Sequence, residues 1–303
     1  MSRTTYQHVQ DVRERGTHGC EIGTTYRTRG NVQPFSKGYL TWDFPLMSLD
    51  PWLSLLGPFL QGEADGEIIQ VGECVVSEML TFTKQMGLEE LIGEGLAWIA
   101  AKGKEGREGK PEYVGPSLFL EGCAGAGGPF ATVSISGKRT AAVAVGQSTY
   151  TASAGYDSIA AVKGETSSAA SAGKCSRSVA VGAACTAAAS GAHGKAAAVG
   201  PNAKAVVVGN NGEVECDGTG SIAAAIGRSG LGKVGDGGLL VLIQYDRDGA
   251  PLRAVSARAG QGGTIKPDTW YRLDANGAFE ETALYPMRGN LSRNVERKRR
   301  SVR

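Results

Sequence analysis

Glycine returns at every ninth residue through a third of this chain, at Gly137, Gly146, Gly155, Gly164, Gly173, Gly182, Gly191, Gly200, Gly209, Gly218 and Gly227. Eleven units run without insertion from Thr132 to Gly230, as in TVSISGKRT, AAVAVGQST and KAVVVGNNG. So short a unit cannot bury a face of its own. Units of this kind must stack on one another, and the chain reads as a repeat architecture.

In each unit five residues precede the glycine and three follow it. An extended five-residue segment sends alternate side chains to opposite faces. The second and fourth positions are small or apolar (Val133 and Ile135, Ala142 and Ala144, Ala205 and Val207, Val214 and Cys216), whereas the third and fifth accept Lys163, Glu215 and Asp217. That parity puts the second and fourth positions inside. Glycine then supplies a corner where a Cβ would meet the next coil or strain the backbone. Two units per coil predict two parallel sheets facing each other, a β-solenoid of about five and a half coils and roughly 25 Å at 4.8 Å per rung. An interior of alanine, serine and valine requires the sheets to lie close together. Long alanine-rich helices are the competing structure. A glycine every nine residues would break them repeatedly.

The 303 residues include 45 glycines but only 7% aromatics, so small side chains carry much of the packing. The aromatic residues gather outside the repeat, at Tyr39, Trp42, Phe44, Trp52 and Phe59 and again at Trp270, Tyr271 and Phe279. Five segments follow: a small α+β domain over 1–120, a glycine-rich junction over 121–131, the solenoid over 132–230, an antiparallel β cap over 231–288, and a basic tail over 289–303. In the first, Asp50 and Pro51 are suited to start a helix. Glu67–Val76 has strand character. Leu80, Phe82, Met86, Leu88, Leu91 and Ile92 give Ser77–Ala101 helical spacing, with Gly87, Gly93 and Gly95 expected to divide it. The cluster GCAGAGG at 122–128 lacks the GKS or GKT ending of a phosphate loop and leads into β-repeats. Beyond the repeat, Leu239–Asp246 and Pro251 onward read as strands, and Trp270–Leu273 with Phe279 onward as a hairpin closing the last coil.

The formal net charge is +2, which excludes bulk attraction to nucleic acid or membrane and leaves the basic tail as the one element suited to nucleic acid. Six cysteines (Cys20, Cys74, Cys123, Cys175, Cys185, Cys216) form no CxxC pair, as expected of free thiols in a reducing cytoplasm. The first residues contain no apolar signal core, and no run is long enough to span a membrane. His8, His18 and His193 share no metal-binding spacing. Asp157 and Asp217 do not recur in register, unlike the aspartates of calcium-binding β-rolls. No catalytic, cofactor or metal residue is assigned, and the chain reads as a non-enzyme.

The alanine–serine repeats that lead into GLLVLIQYDRDG (238–249) and KPDTWYRLDANGAFEE (266–281) resemble those of a group of bacteriophage and prophage proteins. Those proteins have a small N-terminal domain, short SxAAxxG-like repeats, an LVLAEWD-like strand and a KPDTWY-like hairpin. The similarity extends through KGYLTWDFPLMSLDPWL (37–53), EIIQVGECVV (67–76) and TFTKQMGLEELI (81–92). It implies the same architecture and a phage setting, and it brings no catalytic residues.

The remaining signal lies on the outer faces. Val143, Val145, Val179, Val181 and Val199 point outward from one sheet, and Val206, Val208 and Ile226 from the other. Apolar rows on a solvent face are unexpected in a lone solenoid, so at least one face is expected to be covered, by a second copy or by the N-terminal domain. The expected function is a phage or prophage interaction protein that self-associates or binds a host or phage protein in the host cytoplasm, and that could inhibit a host defence. The alternatives are a virion or tail-fibre component and an N-terminal ligand-binding or catalytic domain displayed on a solenoid.

Overall fold

The computed structural model describes residues 2–8, 21–28, 31–33, 38–49, 54–71, 74–102, 112–114 and 122–283. The Asp50–Pro51 helix start and the basic tail lie outside these residues.

The repeats form a two-sided parallel β-solenoid with two units per coil. One sheet holds Thr140–Val145, Ile159–Lys163, Arg177–Val181, Lys195–Val199 and Glu213–Asp217. The other holds Thr132–Ser136, Tyr150–Ala154, Ser168–Ala172, Thr186–Ser190, Lys204–Val208 and Ile222–Ile226. Every rung stacks on the residue 18 positions earlier, as in Ser134↔Ala152↔Ala170↔Ala188, with no bulge between repeats. The second and fourth positions line the interior: Val133, Ala142, Val162, Ala180, Val207 and Cys216 belong to one continuous buried cluster.

Parallel pairing runs further than the nonapeptides. Gly122–Gly127 pairs in parallel with Thr140–Val145, Leu231–Val234 follows Glu213–Asp217, and Leu239–Tyr245 follows Ile222–Ile226. Each sheet therefore has seven parallel strands, where the glycine period alone gave five and a half coils. The glycine-rich junction is thus the first rung of one sheet, and the Leu239 strand the last rung of the other. Closure comes from Pro251–Arg258, antiparallel to Leu239–Tyr245, and from Tyr271–Leu273 paired with Phe279–Glu281.

The corners explain the period. A Cβ on Gly182 would lie 2.2 Å from the carbonyl oxygen of Gly164, one coil below, and the glycine φ of 143° already disfavours an L side chain. The left-handed turn falls two residues later and is not reserved for glycine or asparagine: Thr166, Cys175, Ala184 and His193 all have φ between 52° and 60°. The residue before most of the strands is also buried, a position the two-face pattern did not include. There Ser158, Ser176 and Cys185 direct their Oγ or Sγ to the carbonyl of the residue 14 positions on, at 3.5, 3.1 and 3.6 Å. Ala184 carries a left-handed conformation without side-chain compensation, and its Cβ is exposed. Ala184→Gly is expected to raise stability by about 1 kcal/mol, read as a higher urea midpoint at unchanged m-value.

The N-terminal unit is mostly antiparallel. Strands β1 (Arg3–His8), β2 (Thr25–Arg27), β3 (Tyr39–Trp42), β4 (Phe59–Val71) and β5 (Cys74–Met86) form one sheet, with a 3-10 turn at Pro45–Ser48 between β3 and β4. β4 pairs with β1 and β5, β3 with β5, and β1 with β3 through Tyr6↔Trp42, so four strands close on themselves. Ser77–Met86 is therefore strand rather than helix. Its alternation Ser77, Met79, Thr81 against Leu80 and Phe82 is the period that wins, because β4 supplies a partner along its whole length. Helix α1 (Leu88–Lys102) runs unbroken through Gly93 and Gly95. Gly95 is a contact point, since a Cβ there would meet Leu46 Cγ at 2.9 Å.

Candidate interaction surface

The N-terminal unit sits on one face of the solenoid. Phe44, Leu46, Leu49, Leu55, Leu88, Leu91, Ile92 and Ile99 share a buried cluster with Ala141, Val143, Ile159, Ala161, Val179 and Ala197. α1 lies against Gly122–Gly127, where a Cβ on Gly125 would meet Leu96 Cδ1 at 2.7 Å. The missing side chain lets the helix approach. Lys163 Nζ and Glu89 Oε1, 3.2 Å apart, bridge the rim.

Of the residues expected to form an apolar interface, Val143 and Val179 are fully buried here, Val181 is 8% exposed, and Val145 and Val199 are partly buried against the same cluster. These five face the chain's own N-terminal unit. Val206, Val208 and Ile226 lie apart from them on the opposite sheet. Val206 is partly buried by its neighbours, while Val208 and Ile226 are 48% and 41% exposed.

Charged side chains also enter the covered face. Arg177, Lys195 and Glu215 are each only 2% exposed. Arg177 donates to the Leu49 carbonyl and pairs with Asp157, and Lys195 pairs with Glu213. Glu215 accepts from Ser54 Oγ at 2.7 Å and from the Leu55 amide at 2.8 Å, and it lies 3.0 Å from Lys233 Nζ. Its outward position follows from the repeat, but solvent does not reach it. Two segments of one short stretch, Leu49 and Ser54–Leu55, are thus fastened to the solenoid by buried charges. Sequence reasoning passed over Arg177 and Lys195. Their signal was the 18-residue column Arg177, Lys195, Glu213, in which Lys195 and Glu213 stack opposite charges on adjacent rungs.

The opposite sheet is bare of the chain's own described residues on its outer side. Its central column runs Ser134, Ala152, Ala170, Ala188, Val206, Ala224 and Val241 in unbroken register. The side nearest the C-terminal closure is the apolar part, with Ile222 (37% exposed) at one margin, Ile226 and Val208 at the other, and Leu252 following at 58%. From Thr132 to Ile226, Lys204 is the one charged side chain among the outward positions of this sheet.

The chain matches no protein family, no curated protein and no solved structure.

Cys74, Cys123, Cys175, Cys185 and Cys216 are all buried. Burial pushes the Cys185 thiol up to about 11 and Cys216 higher still, so neither is a ready nucleophile at neutral pH. Among the described residues, no three histidine, cysteine, aspartate or glutamate side chains gather as a metal site. His193 takes a left-handed corner position.

Proposed function

We propose that the chain is a non-enzymatic interaction protein of phage or prophage setting, a rigid β-solenoid that binds protein through its bare sheet. The observation that carries this reading is the inequality of the two outer faces. One apolar sheet is covered by the chain's own N-terminal unit, while the other leaves Val208, Ile222 and Ile226 in solvent. At roughly 25 cal/mol per Å2, covering a few hundred square ångströms of apolar surface is worth several kcal/mol before association costs. A lattice of rungs stacked without a register shift holds such a face rigid, which reduces the entropy lost on binding. The phage setting rests on the resemblance of residues 238–249 and 266–281 and of the repeats, and the proposed place of action is the host cytoplasm.

Native mass spectrometry of the protein purified from a bacterial host provides the test. The wild-type chain is expected in a stoichiometric protein assembly, with itself or with another chain, and Ile226→Lys is expected to release it while keeping the same melting temperature. A wild-type chain without any bound protein overturns the reading, as does an assembly that survives Ile226→Lys unchanged. Stoichiometric recovery from purified particles would instead establish a virion component.

A further inference from the structure

Building on the interaction reading above, we infer that the occupant of the bare sheet is a second copy of this chain, docked about a two-fold axis that runs along the solenoid axis. Extent is the first argument. The six rungs from Thr132–Ser136 to Ile222–Ile226, about 4.8 Å apart and five residues of about 3.3 Å wide, make a face of roughly 500 Å2 per copy, so two copies bury about 1,000 Å2, the lower end of what a specific interface requires. Charge is the second. A foreign partner selected by electrostatics would need charged groups to read, and between Thr132 and Ile226 this face offers Lys204 alone. Lys204 is exposed at the first strand position, on the margin of the sheet, where a lysine can keep its amine in water while its stem covers apolar surface.

The face is also self-complementary in one orientation. With the axis parallel to the stack, each rung meets the same rung of the partner with strand directions reversed. The first strand position then faces the fifth. Ile222 meets Ile226 at the apolar end, Lys204 meets Val208 on the neighbouring rung, Thr132 meets Ser136 at the polar end, and the bulky Tyr150 meets the small Ala154. An axis along the strands would instead set Ile226 against Ser136 and leave the apolar end facing polar residues. Both arrangements are isologous, but only the first sets the apolar end on the apolar end and the polar end on the polar end.

Two measurements on the full chain test this. Light scattering at high micromolar concentration is expected to give twice 31.4 kDa for the wild type and 31.4 kDa for Ile226→Lys, with melting temperatures matched. The central column lies over the axis, so Ala224→Cys is expected to form an intermolecular disulfide with its own counterpart under mild oxidation, whereas the wild-type chain forms none. A monomeric wild type overturns the dimer, and so does a cross-link that forms only when Ala224→Cys is mixed with Ser134→Cys. A hetero-assembly lost in Ile226→Lys, alongside a monomeric free chain, overturns the dimer and leaves the interaction reading standing.

Discussion

Replacing Gly182 with alanine is expected to destabilise the protein by at least about 3 kcal/mol. Two costs add. The new Cβ would sit 2.2 Å from Gly164 O and 2.5 Å from Gly164 C, both backbone atoms of the coil below. Backbone cannot swing aside as the end of a side chain can. The rung would have to separate or tilt, and Gly200, stacked one coil above, would lose its own alignment. The second cost is conformational, because φ of 143° is strained for an L side chain. Gly87→Ala is the control: no atom lies within 4 Å of its added Cβ and its φ is not positive, so its urea midpoint is expected to stay near wild type. Equal midpoints for Gly182→Ala and Gly87→Ala would remove the stacked-corner explanation of the nine-residue period.

Loss of the Glu215 carboxylate is expected to have the second large effect, about 3–5 kcal/mol for Glu215→Ala. The carboxylate serves three partners at once: Ser54 Oγ, the Leu55 amide and Lys233 Nζ. Leu55 is 1% exposed, so its amide would be left without a partner in a place water does not reach. Lys233 would keep only its position 5.5 Å over the Trp270 ring. Glu215→Gln, which retains an acceptor oxygen, should lose clearly less. The location of the loss is as informative as its size. Hydrogen exchange should accelerate in Leu88–Lys102 and across the amides near Ser54, while the rungs between Ser168 and Val208 stay protected. Acceleration spread evenly over the solenoid would show that Glu215 supports the coils themselves rather than the seating of the N-terminal unit.

The two substitutions separate two kinds of cohesion. Gly182 belongs to the stack, where each coil touches only its neighbours and the same contact is made again one coil later. Glu215 belongs to a contact between residues 160 positions apart, made once, between a charged side chain on an outer face and a stretch of the N-terminal unit. The apolar cluster from Phe44 to Val199 supplies area around it, and the buried charges fix where the unit sits. Arg177, holding the Leu49 carbonyl, acts at the other end of the same stretch.

The strands of the N-terminal unit show why that region was harder to read. Leu80, Phe82 and Met86 satisfy a helical spacing as well as a strand alternation, and local pattern does not choose between them. The choice was made by β4, which pairs with β5 over nearly its whole length. Gly93 and Gly95 were expected to break a helix on propensity. Gly95 is retained in α1 because Leu46 needs the space a side chain would fill. In both places a partner far along the chain outweighs a local preference.

The repeat alone determined the solenoid: glycine at every ninth residue, small side chains at the second and fourth positions, and two units per coil follow from steric exclusion at a corner and alternation along a strand. These are short-range constraints repeated eleven times, so they survive without knowledge of any partner. Only the tertiary structure decided that Gly122–Gly127 and Leu239–Tyr245 join the stack, and that Val143, Val179 and Glu215 face the N-terminal unit while Val208 and Ile226 face solvent. An outward side chain has the same local signature whether water or protein lies over it, and what lies over it is set by residues tens to more than a hundred positions away.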